Sequence, residues 1–150
     1  MLQEMGIRPF EPFFGTLLAE LEASTGQVEA GLATLDSELQ LIERTEQHWS
    51  DAEVHRVRGE LLFKRQPTDI DAAEQAFNKS LEIARMQQVK TFELRSALSL
   101  AKLYQTTGRE LAVDGLLVPA LIDFAEGPEL PEVAEAKCLL ASLERTFGAA

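Results

Sequence analysis

A chain of 150 residues has the length of one domain with a sizeable core. Its 45% hydrophobic and 26% charged residues, with nine glycines and six prolines, describe a folded protein rather than a disordered one. A net charge of −11 argues against nucleic acid as a partner, because phosphate affinity comes from clustered Lys and Arg. There is no apolar run near the roughly 18 residues that cross a bilayer, and no basic opening followed by an apolar stretch. The expectation is therefore a cytoplasmic protein with no membrane partner.

Apolar residues recur at helical spacing along the chain, and no stretch shows the strict alternation of a strand, so an all-α fold is expected. The apolar opening Leu2, Met5, Ile7, Phe10, Phe13 and Phe14 leads into a first helix over 12–24, closed at Gly26, where glycine suits a left-handed turn. A second helix is expected over 27–47. The turn at Trp49 and Ser50 follows, with Ser50 or Asp51 capping a third helix over 51–65. Gln66-Pro67-Thr68 interrupts the chain, and Asp69 caps a fourth helix over 70–87. The fifth spans 91–106 and ends at Gly108; the sixth spans 109–124. Gly127-Pro128 breaks the chain again, and Pro131 takes a first helical position in a seventh helix over 131–146. Cys138, the single cysteine, has no disulfide or zinc partner and is read as a small buried hydrophobe in the run AKCLLASL.

The helices fall into three pairs, 12–47, 51–87 and 91–124, within one domain, and the last helix, 131–146, offers Val133, Ala136, Leu139, Leu140 and Leu143 as one apolar face suited to a cap. Each pair has a small residue in its first helix that permits close approach of the second: Ala19, Gly59 and Ala101. Their spacings exceed the roughly 34 residues of the common tetratricopeptide unit, which fits long second helices. Gly26 and Gly108 take the turn position, Leu62 and Tyr104 lie on first helices, and Ala73, Phe77 and Leu35 lie on second helices. Gly31 departs from the pattern, standing where alanine is usual.

On these residues the chain resembles tetratricopeptide-like (TPR) repeat domains. The segments GLATLDSELQLIERTEQHWSDAEVHRVRGELLF and AEQAFNKSLEIARMQQVKTFELRSALSLAKLYQTTGR are similar to the C-terminal helical repeats of large bacterial signalling ATPases, whose output domain is an adenylate or guanylate cyclase or a transcriptional regulator. The resemblance implies a right-handed stack of antiparallel helix pairs, an α-solenoid of three degenerate repeats with a capping helix. It also implies a non-catalytic scaffold or sensor that binds a protein, a peptide or the upstream ATPase domain. No GxxxxGK[ST] phosphate loop is present, and no cofactor is expected. A second copy of the chain, met through the apolar N-terminal edge, is a further expected partner.

In such a stack the first helices line a concave face. Counting from Ala19, Gly59 and Ala101 gives Phe13, Thr16 and Glu20, then Arg56, Glu60, Phe63 and Lys64, then Arg95, Leu98 and Lys102. Four of these are basic, and the middle of the chain carries nine bases against eight acids, whereas residues 1–47 carry two against nine and residues 109–150 three against eight. An acidic peptide or a C-terminal carboxylate is the ligand this predicts; the competing reading is ion pairing within the face. His48, Asp51 and His55 offer the alternative of a metal-dependent enzyme, but spacing fixes no third strong ligand, so no metal is expected. A purely structural dimerisation module is the remaining alternative.

Overall fold

A computed structural model describes residues 11–125 and 129–148, with side chains from Phe14 onward. Among the described residues there are seven α-helices and no strand. They are α1 (Glu11–Ser24), α2 (Val28–Thr45), α3 (Asp51–Arg65), α4 (Ile70–Gln87), α5 (Lys90–Thr106), α6 (Val113–Leu121) and α7 (Pro131–Gly148). The apolar opening from Leu2 to Phe10 and the break at Gly127-Pro128 lie outside the described residues.

The expected helix ends agree with these to within two residues except in the sixth helix, which was expected over 109–124. It is a short α-helix flanked by single 3-10 turns at Glu110–Ala112 and Ile122–Phe124. Pro119 lies inside it and has no N–H to offer the preceding turn, which limits how far regular α geometry extends.

Three helices close in the same way. After α1, Gly26 N–H bonds the Ala23 carbonyl and Gln27 N–H the Glu22 carbonyl; after α5, Gly108 and Arg109 bond Gln105 and Tyr104; after α4, Gln88 and Val89 bond Arg85 and Ala84. This is the double backbone closure built on one left-handed residue. Gly26 and Gly108 supply that residue as expected, at φ of +89° and +74°. Gln88 supplies it at φ of +57° with a side chain in place, as does Glu46 at +54° beyond α2. At the start of α4, Asp69 accepts the Ala72 N–H at 3.4 Å, the cap expected from its position. Ser50 precedes α3, but its hydroxyl makes no capping bond; a 3-10 turn at His48–Ser50 leads into the helix instead.

Each helix packs on the next in sequence, and α1 packs also on α3, α3 on α5 and α5 on α7. Two close crossings depend on a missing side chain. A Cβ at Gly59 of α3 would lie 2.6 Å from the Phe77 ring of α4, and one at Gly31 of α2 would lie 2.8 Å from the Ala19 carbonyl oxygen of α1. Alanine is therefore excluded at position 31 by the backbone of α1. Ala19, Leu35, Phe77 and Ala101 are buried as expected, with Leu62 and Tyr104 half-buried. One hydrophobic core joins α1, α2 and α3 around Leu35, Ile42 and Val57, and a larger one joins α4 to α7 around Leu94, Leu100 and Leu117. Leu62 packs against both.

In α7, Val133, Ala136 and Leu143 are buried and Leu139 and Leu140 pack beside them. Cys138 corrects the reading given above, because its side chain is exposed. At 100° per residue, position 138 lies roughly opposite 136 and 140 on the helix, away from the stripe that faces the core.

Candidate functional site

On α3, Glu60 and Phe63 are one turn apart; on α5, Ser99, Lys102, Leu103 and Thr106 share a face at helical spacing. Where α3 meets α5 these side chains enclose a recess of about 190 Å3. Phe77 reaches its wall from α4, because Gly59 leaves space for the ring beside α3. The recess is somewhat larger than a cavity of about 150 Å3 that holds one benzene. It thus has the size of one apolar side chain, with a carboxylate and an ammonium group at its edge.

Charged residues run from this recess across the four odd-numbered helices. Arg56 of α3 is only 6% exposed. Its guanidinium donates to Glu53 at 3.1 Å through both Nε and Nη2, to Glu60 at 2.5 Å, and to Glu20 of α1 at 3.3 Å. Glu53, 2% exposed, also receives Arg95 of α5 at 2.8 Å, and Arg95 lies 3.6 Å from Glu132 of α7. Glu60 accepts the Ser99 hydroxyl at 3.0 Å, tying α3 to α5. Lys102 pairs with Glu135 of α7, and Lys64 donates to the Ala23 carbonyl near the end of α1. Burial alone would lower the Arg56 pKa, but Glu60, Glu53 and Glu20 outweigh it and hold the guanidinium charged.

The ten residues expected on the concave face are thus distributed. Glu60, Phe63 and Lys102 meet at the recess; Glu20, Arg56 and Arg95 join the charged network beside it; Lys64 is exposed at the end of α3. Thr16 is buried, Leu98 belongs to the core of the second half, and the Phe13 side chain lies outside the described residues. The four bases each engage an oxygen within the chain, which lowers the positive potential they present. Sequence reasoning missed Glu53, Ser99, Leu103 and Thr106. The signal for the last three was available, since they share a helical face with Lys102. Glu53 stands one turn before Arg56, but its burial follows from the placement of α5.

His48 Nδ1 meets Asp51 Oδ2 at 2.8 Å, and this hydrogen bond and charge raise the His48 pKa. His55 is lowered, first by burial, against an opposing pull from Asp51. Among the described residues no group of three His, Cys, Asp or Glu side chains is placed to hold a metal. No described helix is long and apolar enough to cross a membrane. No protein-family model, curated protein or solved structure matches the chain.

Proposed function

We propose that the chain is a non-catalytic, tetratricopeptide-like interaction module that binds a protein or peptide along its odd-numbered helices. The helix pairs would stack as a right-handed solenoid, serving as the sensor or scaffold of a larger bacterial signalling protein in the cytoplasm. Three features support the stack: contacts between consecutive odd-numbered helices, the shared closure after α1, α4 and α5, and the close crossings at Gly31 and Gly59.

The observation that carries the binding reading is the recess itself. Phe63, Phe77 and Leu103 offer an apolar socket, and Glu60 and Lys102 flank it with opposite charges. An anchored apolar side chain supplies affinity, and the charged pair orients the peptide backbone on either side. Because the bases are already paired, an acidic ligand must compete with Glu135 for Lys102, so the socket contributes more to affinity than charge does.

Selection of displayed peptides on the purified protein tests this. The recovered peptides should share an apolar anchor and should bind at least about tenfold more weakly to Thr106→Trp, which fills the socket. Equal binding to wild type and to this variant would remove the recess from consideration.

The dimerisation reading is favoured by a different observation. Phe14, Leu17, Leu18 and Leu21 of α1 are between 47% and 64% exposed and lie on one helical face. A dimer mass at high micromolar concentration that reverts to monomer in Leu17→Glu, Leu21→Glu would support it; a monomer throughout would exclude it.

A further inference from the structure

A second depression lies at the far end of the molecule, where the 3-10 turn before α6 faces the last turns of α7. Its volume is about 490 Å3, some three times the roughly 150 Å3 that accommodates one benzene. Leu111, Leu143 and Phe147 form its apolar surface, and Leu111 and Phe147 are 87% and 50% exposed. Glu110, Asp114 and Glu144 stand around it. None of these three carboxylates has an ion pair among the described residues, in contrast with the acids of the odd-helix network.

We infer that this groove is a docking surface for a basic amphipathic helix, one that inserts aliphatic side chains between Leu111 and Phe147 and sets Lys or Arg against Glu110, Asp114 and Glu144. The apolar floor is large enough for more than one side chain, and the unanswered rim selects the sign of the flanking charge. A second copy of the chain is a poorer occupant. The helix that exposes Phe14, Leu17, Leu18 and Leu21 on one face, α1, carries Glu20 and Glu22 and no base, so it would bring carboxylates onto carboxylates. This site is separate from the recess between α3 and α5, and it stands or falls independently of the function proposed above.

Fluorescence anisotropy with the full chain tests the inference. The probe is a labelled helical peptide of about 15 residues with a leucine stripe flanked by lysines, beside an analogue with every lysine replaced by glutamate. The lysine peptide should bind and the glutamate peptide should not. Affinity should fall at least about tenfold in Leu111→Asp, and by a similar factor in Glu110→Lys, Asp114→Lys. It should also weaken as salt rises from about 0.05 to 0.5 M, because the rim is solvent-exposed. All three positions lie at the surface or its edge, so the variants keep their helical circular dichroism; Thr106→Trp should leave this binding unchanged. No binding by the lysine peptide, equal binding by both peptides, or indifference to Leu111→Asp would overturn the inference. So would a concentration-dependent dimer abolished by Leu111→Asp, which would make a second copy the occupant.

Discussion

Gly59 has no side chain, and the Phe77 ring takes the space one would fill, with ring carbons 2.6 and 2.7 Å from the position of a Cβ. Gly59→Leu should therefore part α3 from α4, with overpacking of about 1–3 kcal/mol outweighing the helix-propensity gain of up to ~1 kcal/mol. A melting temperature lowered by several degrees is expected, and unchanged melting would contradict the close crossing. Gln88 presents the converse case, holding a left-handed φ of +57° with a side chain in place. Gln88→Gly should raise stability by up to about 1 kcal/mol, seen as a higher urea midpoint; a lower midpoint would show that the side chain compensates for its backbone. The two histidines have opposite effects on pH dependence. Burial lowers the His55 pKa below its ordinary 6.5, so its contribution is present above 6.5 and lost as pH falls through the folded value. The raised His48 contributes below 6.5 and loses its contribution as pH rises through its own folded value. His55→Gln should flatten the fall in urea midpoint between about pH 6.5 and 5, and an undiminished fall would assign that loss to other groups.

At the scale of helices, the network from Glu20 through Arg56, Glu53 and Arg95 to Glu132 spans α1, α3, α5 and α7. Arg56 and Glu53 are buried, so Arg56→Met leaves Glu53 with Arg95 as its remaining close cation. Leaving a buried charge unpaired costs about 3–5 kcal/mol, and Arg95 reduces that loss here; replacing both members by Arg56→Met, Glu53→Leu should recover part of it, with Arg95 left to Glu132. Chemical denaturation of the two variants distinguishes them, and a single variant as stable as wild type would show that the network holds nothing together. Within a helix such pairing is legible in sequence: Arg56 and Glu60 are four apart, and their bond follows from spacing. The bonds from Arg56 to Glu20 and from Arg95 to Glu53 depend on how far each helix rotates about its axis, which packing decides. Helix positions were legible where the periodicity was long, as in α3 and in α4, the latter also capped by Asp69. They were less so in the sixth, where Gly115 and Pro119 lower helix propensity and the flanking residues settle as 3-10 turns. The closure at Gln88 was only half legible: polar residues marked a boundary there, but a glutamine gives no sign of a left-handed backbone. Cys138 was misread from its apolar neighbours, although its phase relative to Ala136 and Leu140 places it off the buried stripe.

For the whole molecule, two large cores that share Leu62, one face crossed by ion pairs, and a recess midway along that face are the features on which the proposed interaction module rests. The concave face expected from sequence contributes Glu60, Phe63 and Lys102 to the socket, while Phe77 and Leu103 come from positions read as packing or passed over. That division has a physical basis, because the recess lies between helices distant in sequence, and one-dimensional spacing does not encode how they are placed against each other. The most direct measurement is a titration of isotopically labelled protein with a selected peptide, followed by amide chemical shifts. Perturbations centred on Glu60, Phe63, Ser99, Lys102, Leu103 and Thr106, and lost in Thr106→Trp, are the expected result. Perturbations confined to α1, to the turn at Leu111 or to the end of α7, with the recess amides unmoved, would contradict the assignment of the binding site.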